Sequence, residues 1–84
     1  MIFMLPLLTM PYNARVMGQV IGKLRTNRGM TQEMLSGLSG IARSHLAMIE
    51  NGRVCVTVET LRRIGEALGC PLSEIFRSME ETRE

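Results

Sequence analysis

GIARSHLAMIENG, residues 40–52, decides the fold. Leu46 and Ile49 stand three apart, the spacing of apolar anchors on one side of a helix. Arg43, Ser44, His45, Ala47 and Met48 occupy the remaining surface. Gly40 in front supplies the left-handed turn that lets a helix leave its predecessor at a steep angle. Asn51-Gly52 stops the helix. The pattern therefore predicts a short helix over about 42–50 with a mixed face turned away from its anchors.

Helix signals continue on both sides. Thr31 is a candidate N-cap for a helix over about 31–38, with Gln32 and Glu33 in its first turn and Met34, Leu35 and Leu38 as its apolar face. Met17, Ile21 and Leu24 recur at helical spacing and predict a helix over about 14–28, which Arg25 and Arg28 close where cations suit the helix dipole and Gly29 ends. Downstream, RVCVT (53–57) alternates valines, but a lone five-residue run without a partner makes no sheet. Thr57 caps a fourth helix over about 57–68, with Val58, Leu61, Ile64 and Leu68 inward and Gly69 after it. Pro71 opens a fifth, with Leu72, Ile75 and Phe76 apolar. The expected fold is all-α, a bundle of five short helices in one domain over 13–78, between an apolar arm (1–12) and an acidic tail (79–84).

Composition narrows the function. Eighty-four residues, 45% hydrophobic and 21% charged, suffice for one thin helical core. The three aromatics are Phe3, Tyr12 and Phe76, so the core is aliphatic, and the eight methionines suit irregular helix junctions. Cys55 and Cys70 lack zinc-site spacing, and with a single histidine in the chain no metal or other cofactor is expected. Both cysteines read as free thiols in a reducing cytoplasm. Residues 80–84 hold three acids and one base, leaving nine bases against five acids, a net +4, over 1–79. That balance permits an anionic partner without requiring one. No nucleophile–base pairing, paired carboxylates or phosphate loop points to an enzyme.

MIFMLPLLTM (1–10) holds eight apolar residues. It lacks the basic start and small-residue cleavage site of a signal peptide. Pro6, Pro11 and Asn13 interrupt it well short of the roughly 20 apolar residues of a membrane span. It reads either as a disordered or over-long start or as an arm that packs on its own domain or on a partner subunit, with membrane contact as the remaining reading.

Two short helices joined by a tight glycine turn make a helix-turn-helix, whose second helix enters the DNA major groove. The mixed face of 42–50 then has a use. Arginine matches the two acceptors of a guanine edge, histidine can donate there, and methionine or alanine meets a thymine methyl.

GKLRTNRGMTQEMLSGLSGIARSHLAMIENGR (22–53) resembles the Cro/C1-type, lambda-repressor-like (XRE) helix-turn-helix family. The resemblance rests on Leu24-Arg25, Arg28-Gly29, Thr31-Gln32, Leu35, Gly40-Ile41, Leu46, Ile49 and Glu50-Asn51-Gly52, and ETLRRIGEALGCPLSEIF (59–76) resembles the family's fourth and fifth helices. It implies a double-stranded DNA operator as partner, with Thr31, Gln32, Arg43, Ser44, His45, Met48, Asn51 and Arg53 at the interface. Gln32 would meet phosphate and brace the recognition helix. Arg43, Ser44 and Met48 would face bases, His45 a base edge or a phosphate, and Asn51 and Arg53 the backbone. Arg25 and Glu50 match a structural ion pair. His45, Met48 and Arg53 also have a plainer reading as ordinary surface residues. Two departures stand out: Ala42 replaces the usual Ser or Thr cap, giving up about 0.5–2 kcal/mol, and VCV replaces a polar connector. The expected protein is a cytoplasmic repressor acting as a homodimer. The alternatives are a controller of a restriction–modification operon, or an antitoxin or other protein-interaction module using the 1–12 arm.

Overall fold

The computed structural model describes residues 13–82. The arm 1–12 and the last two residues of the expected tail lie outside them. Among the described residues there are five helices and no strand: α1 (Ala14–Asn27), α2 (Gln32–Ser39), α3 (Arg43–Glu50), α4 (Val58–Leu68) and α5 (Leu72–Thr82). No described helix is long and apolar enough to cross a membrane.

Local chemistry sets the boundaries. Asn13 caps α1, its side chain accepting from the Arg15 and Val16 amides. Thr31 caps α2 through the Met34 amide, and Thr57 caps α4 through the Thr60 amide. α1 closes on paired bonds, Met30 N–H to Arg25 C=O and Gly29 N–H to Thr26 C=O, and α4 closes the same way on Cys70 to Gly65 and Gly69 to Glu66. Both are Schellman closures.

The core is aliphatic. Met17, Ile21, Leu35, Leu46, Ile49, Ile64 and Ile75 are fully buried, and Val16, Val20, Ile41, Leu61, Leu68, Cys70 and Met79 pack with them. α1 packs on α3 and α5, and α2 packs on α3 and α4. Arg28 joins the ends of α1 and α4: its Nε donates to Leu68 C=O at 2.6 Å. Cys55 is exposed and Cys70 buried, both as free thiols.

Several expectations are corrected. Met34 and Leu38, assigned to the inner face of α2, are 50% and 62% exposed. The helix turns Leu35 and Ser39 inward instead. Ser39 is tolerated there because its hydroxyl donates to Leu35 C=O at 2.7 Å and accepts from the Ile41 amide at 3.2 Å. Val58, expected inward, is 72% exposed at the first position of α4. The acidic tail is not separate from the domain over its described part. α5 runs through Thr82 with Met79 buried, so the helical domain passes the boundary expected at 78.

Candidate nucleic-acid interface

The candidate interface lies on α3, and α3 is held chiefly from behind. Leu46 and Ile49 sink into the core. Ile41, just before the helix, is buried with Leu46 four positions into it, the arrangement of a hydrophobic staple. Gly40 is left-handed at φ 75°, and Ser36 donates its hydroxyl to Ile41 C=O at 2.6 Å, fixing the turn. Ala42 stands at the N-cap without a side-chain hydrogen bond to the first turn.

The far end of α3 is tied much more heavily. Gly52 N–H bonds Ile49 C=O and Arg53 N–H bonds Met48 C=O at 2.9 Å, another Schellman closure with Gly52 at φ 73°. Arg25 of α1 grips the Glu50 carboxylate with both arms of its fork, Nε to Oε2 at 2.7 Å and Nη2 to Oε1 at 2.9 Å. Its Nη1 donates to Met30 C=O at 2.7 Å. The two side chains are only 14% and 8% exposed. The hydrogen bond to Glu50 raises the already high Arg25 pKa, against the lowering effect of burial. Gln32 completes the group, its amide donating to Glu50 Oε1 at 3.0 Å. One carboxylate at the end of α3 thus joins α1, α2 and α3.

α1 approaches this end closely because it carries glycines there. A Cβ at Gly18 would collide with the Ile49 carbonyl and lie 2.7 Å from that of Glu50. At Gly22 it would lie 3.4 Å from the Glu50 carboxylate.

What remains open is the outward face of α3. Arg43, Ser44, His45, Met48 and Asn51 are all exposed, as is Arg53 beyond the helix. Helical spacing stacks Ser44, Met48 and Asn51 into one row, since positions four and three apart share a face. Arg43 lies on one flank of that row above Ala47, and His45 on the other. Met48 is 43% exposed at its centre. Arg43 and Arg53 take part in none of the ion pairs formed among the described residues. Thr31 is exposed, with its oxygen engaged as the α2 cap. Gln32 is half-buried and committed to Glu50, so its bracing contact is present within the protein itself.

A short helix presented across a glycine turn, locked at its end by a Glu-Asn-Gly terminus, is the geometry of a helix-turn-helix, and the helix-turn-helix family pattern matches residues 21–75. The chain belongs to the Cro/C1-type helix-turn-helix family. It is 34% identical over 68 residues to the uncharacterized HTH-type transcriptional regulator y4dJ of Sinorhizobium fredii, covering 81% of this chain and 88% of that one. It is 30% identical over 67 residues to the HTH-type transcriptional regulator PuuR of Escherichia coli, covering 80% of this chain but only 36% of PuuR. The restriction–modification controller protein C.AhdI of Aeromonas hydrophila has the same fold at a TM-score of 0.72 and 32% identity, over 74% of this chain and 94% of that one. Family membership makes the chain a DNA-binding regulator of transcription.

The sequence did not reveal Ser36 and Ser39 as the fasteners of the turn, nor Gly18 as the point where α1 meets the end of α3. Serines in a short helix carry no periodic signal, and a glycine's close approach depends on a partner far away in the chain.

Proposed function

We propose that the protein is a cytoplasmic repressor that reads a two-half-site DNA operator as a homodimer. The supporting observation is the row Ser44–Met48–Asn51, flanked by Arg43 and His45, on a helix whose opposite side is fully engaged with the core. Arg43, in the first turn, is assigned to a guanine edge, and Met48 and Ser44 to neighbouring bases. Asn51 and Arg53, past the helix, are assigned to phosphates, and Thr31 to the same backbone through its hydroxyl proton. Eight residues of helix read only a few base pairs, so two copies spaced about 34–36 Å apart supply the specificity that one lacks.

Site selection from random duplexes, followed by isotherms on the selected and a scrambled site at several salt concentrations, tests this reading. Arg43→Ala is expected to cost about 1–3 kcal/mol on the selected site and to relax preference at one position per half-site. Arg53→Ala is expected to weaken both duplexes alike and to make the salt dependence shallower by about one counterion per protomer. Binding unaffected by either substitution would remove α3 from the interface.

A second reading has a specific observation behind it. The likeness to C.AhdI extends over nearly all of that controller protein. The same DNA-reading face would then regulate a restriction–modification operon, and a selected site lying upstream of restriction and methyltransferase genes would favour this form of the proposal.

A further inference from the structure

One row of α1 runs along the end of the recognition helix at spacings of three and four: Arg15, Gly18, Gly22 and Arg25. Gly18 meets the last α3 carbonyls, Gly22 faces the Glu50 side chain, and Arg25 holds its carboxylate. At the other end of the row, Arg15 meets the connection after α3. A Cβ on Gly52 would lie 2.9 Å from the Arg15 Cα and 3.4 Å from its Cβ. Gly52 sits between Asn51 and Arg53 in the chain, so the Arg15 side chain leaves the fold beside the two residues assigned to phosphates.

Among the described residues, the other cations outside α3 and its connection are engaged or lie on other elements. Arg62 and Arg63 pair with Glu59, and Arg62 also with Glu66. Arg28 donates to the Leu68 and Leu24 carbonyls. Lys23 lines a groove between α1 and α5 with Ser78 and Glu81. Arg77 lies on α5, which packs on α1 and α4. Arg15 is exposed and takes part in none of the ion pairs among the described residues.

We propose that Arg15 is a further DNA-holding residue, binding backbone phosphate next to those met by Asn51 and Arg53; this rests on the DNA-reading function proposed above. Each strand of B-DNA presents a phosphate about every 3.4 Å along the axis, so a guanidinium beside the α3–α4 connection has neighbouring phosphates to engage. Because its backbone is packed on Gly52, Arg15 follows the recognition helix as a rigid part of the same body. Its contribution is sequence-independent affinity, since phosphate contacts position a protein without reading bases.

The test measures affinity of the full chain for a mixed-sequence duplex and for a selected site as salt is raised, comparing wild type with Arg15→Ala, Arg15→Lys and Arg77→Ala. Melting curves of the free proteins establish that each variant is folded. Arg15→Ala is expected to lower the slope of log K against log salt by about 0.9 per protomer, equally on both duplexes. Arg15→Lys is expected to keep the slope, and Arg77→Ala to leave it unchanged. A wild-type slope for Arg15→Ala, or an equal drop for Arg77→Ala, overturns the assignment while leaving the DNA-reading function intact. Failure of the wild-type protein to bind either duplex overturns both together.

Discussion

The two ends of α3 are held by different physics. The C-terminal end is fixed by directional contacts: the Schellman closure, the Arg25–Glu50 fork, the Gln32 amide and the close approach of Gly18. The N-terminal end has no side-chain cap and is placed by the Ile41–Leu46 staple and the serine-fastened turn. A helix built this way keeps its position on the body while its first turn, the part proposed to read bases, is the more weakly restrained. The contrast shows that orientation and local rigidity are separate properties, set by separate residues.

Breaking the strong end has the largest expected effect. Arg25→Ala leaves a nearly buried Glu50 carboxylate without its main partner, and is expected to destabilise the domain by about 3–5 kcal/mol. Urea unfolding measures this. A mutant as stable as wild type but weakened on DNA would place Arg25 at the interface instead.

Gly18→Ala attacks the same end through shape. The added methyl meets backbone carbonyls that cannot rotate away, so a loss of about 1–3 kcal/mol is expected, despite alanine's better helix propensity. Gly37→Ala is the control, because a Cβ there meets nothing within 4 Å. It is expected to stabilise.

The weak end can be strengthened. Ala42→Ser supplies the missing cap and is expected to add a few tenths to about 1 kcal/mol. An unchanged urea midpoint would show that the staple alone already saturates the first turn.

The smallest effect lies outside α3 and calibrates the comparison with an exposed ion network. Hydrogen bonds from Arg62, then Arg63, hold the Glu59 carboxyl down at about 2 from its usual 4.5. A lowered folded pKa stabilises above the unfolded value and loses that contribution as pH falls through the folded one. The stability difference between wild type and Glu59→Gln should therefore be constant above about pH 5 and shrink toward pH 2. Because Glu59 and both arginines are exposed, that difference is expected to be small and to fade with added salt. A difference insensitive to pH would assign it to the α4 first turn rather than to the carboxylate's charge.

How much of this was legible in the sequence follows from the range of each interaction. Caps and glycine stops announced the helices, because Thr31, Thr57, Gly40 and Gly69 act within a few residues of themselves. The Arg25–Glu50 pair spans 25 positions and came from family resemblance, not from spacing. The α2 face differs from expectation because Met34 and Leu38 are more apolar than Ser39, while Ser39 bonds Leu35 within its own helix and gains the Ile41 amide only once the turn has closed. In the fifth helix, hydrophobicity alone did not rank Leu72, Ile75 and Phe76; α5 turns Ile75 and Met79 inward and leaves Phe76 43% exposed. Arg15 gave no signal at all, since its neighbour Gly52 is distant in the chain.

The Cys70 position has a practical consequence. Its sulfhydryl is directed to the Pro71 carbonyl at 3.7 Å in the corner between α4 and α5, and burial, then the nearby Glu74, raise the thiol's pKa. A thiol reagent reaches it only when that corner opens, whereas Cys55, exposed in the α3–α4 connection, reacts from the closed state. The wild-type chain thus carries a slow thiol and a fast one. The ratio of their labelling rates is a clock for the opening of α4 from α5, readable without introducing any probe.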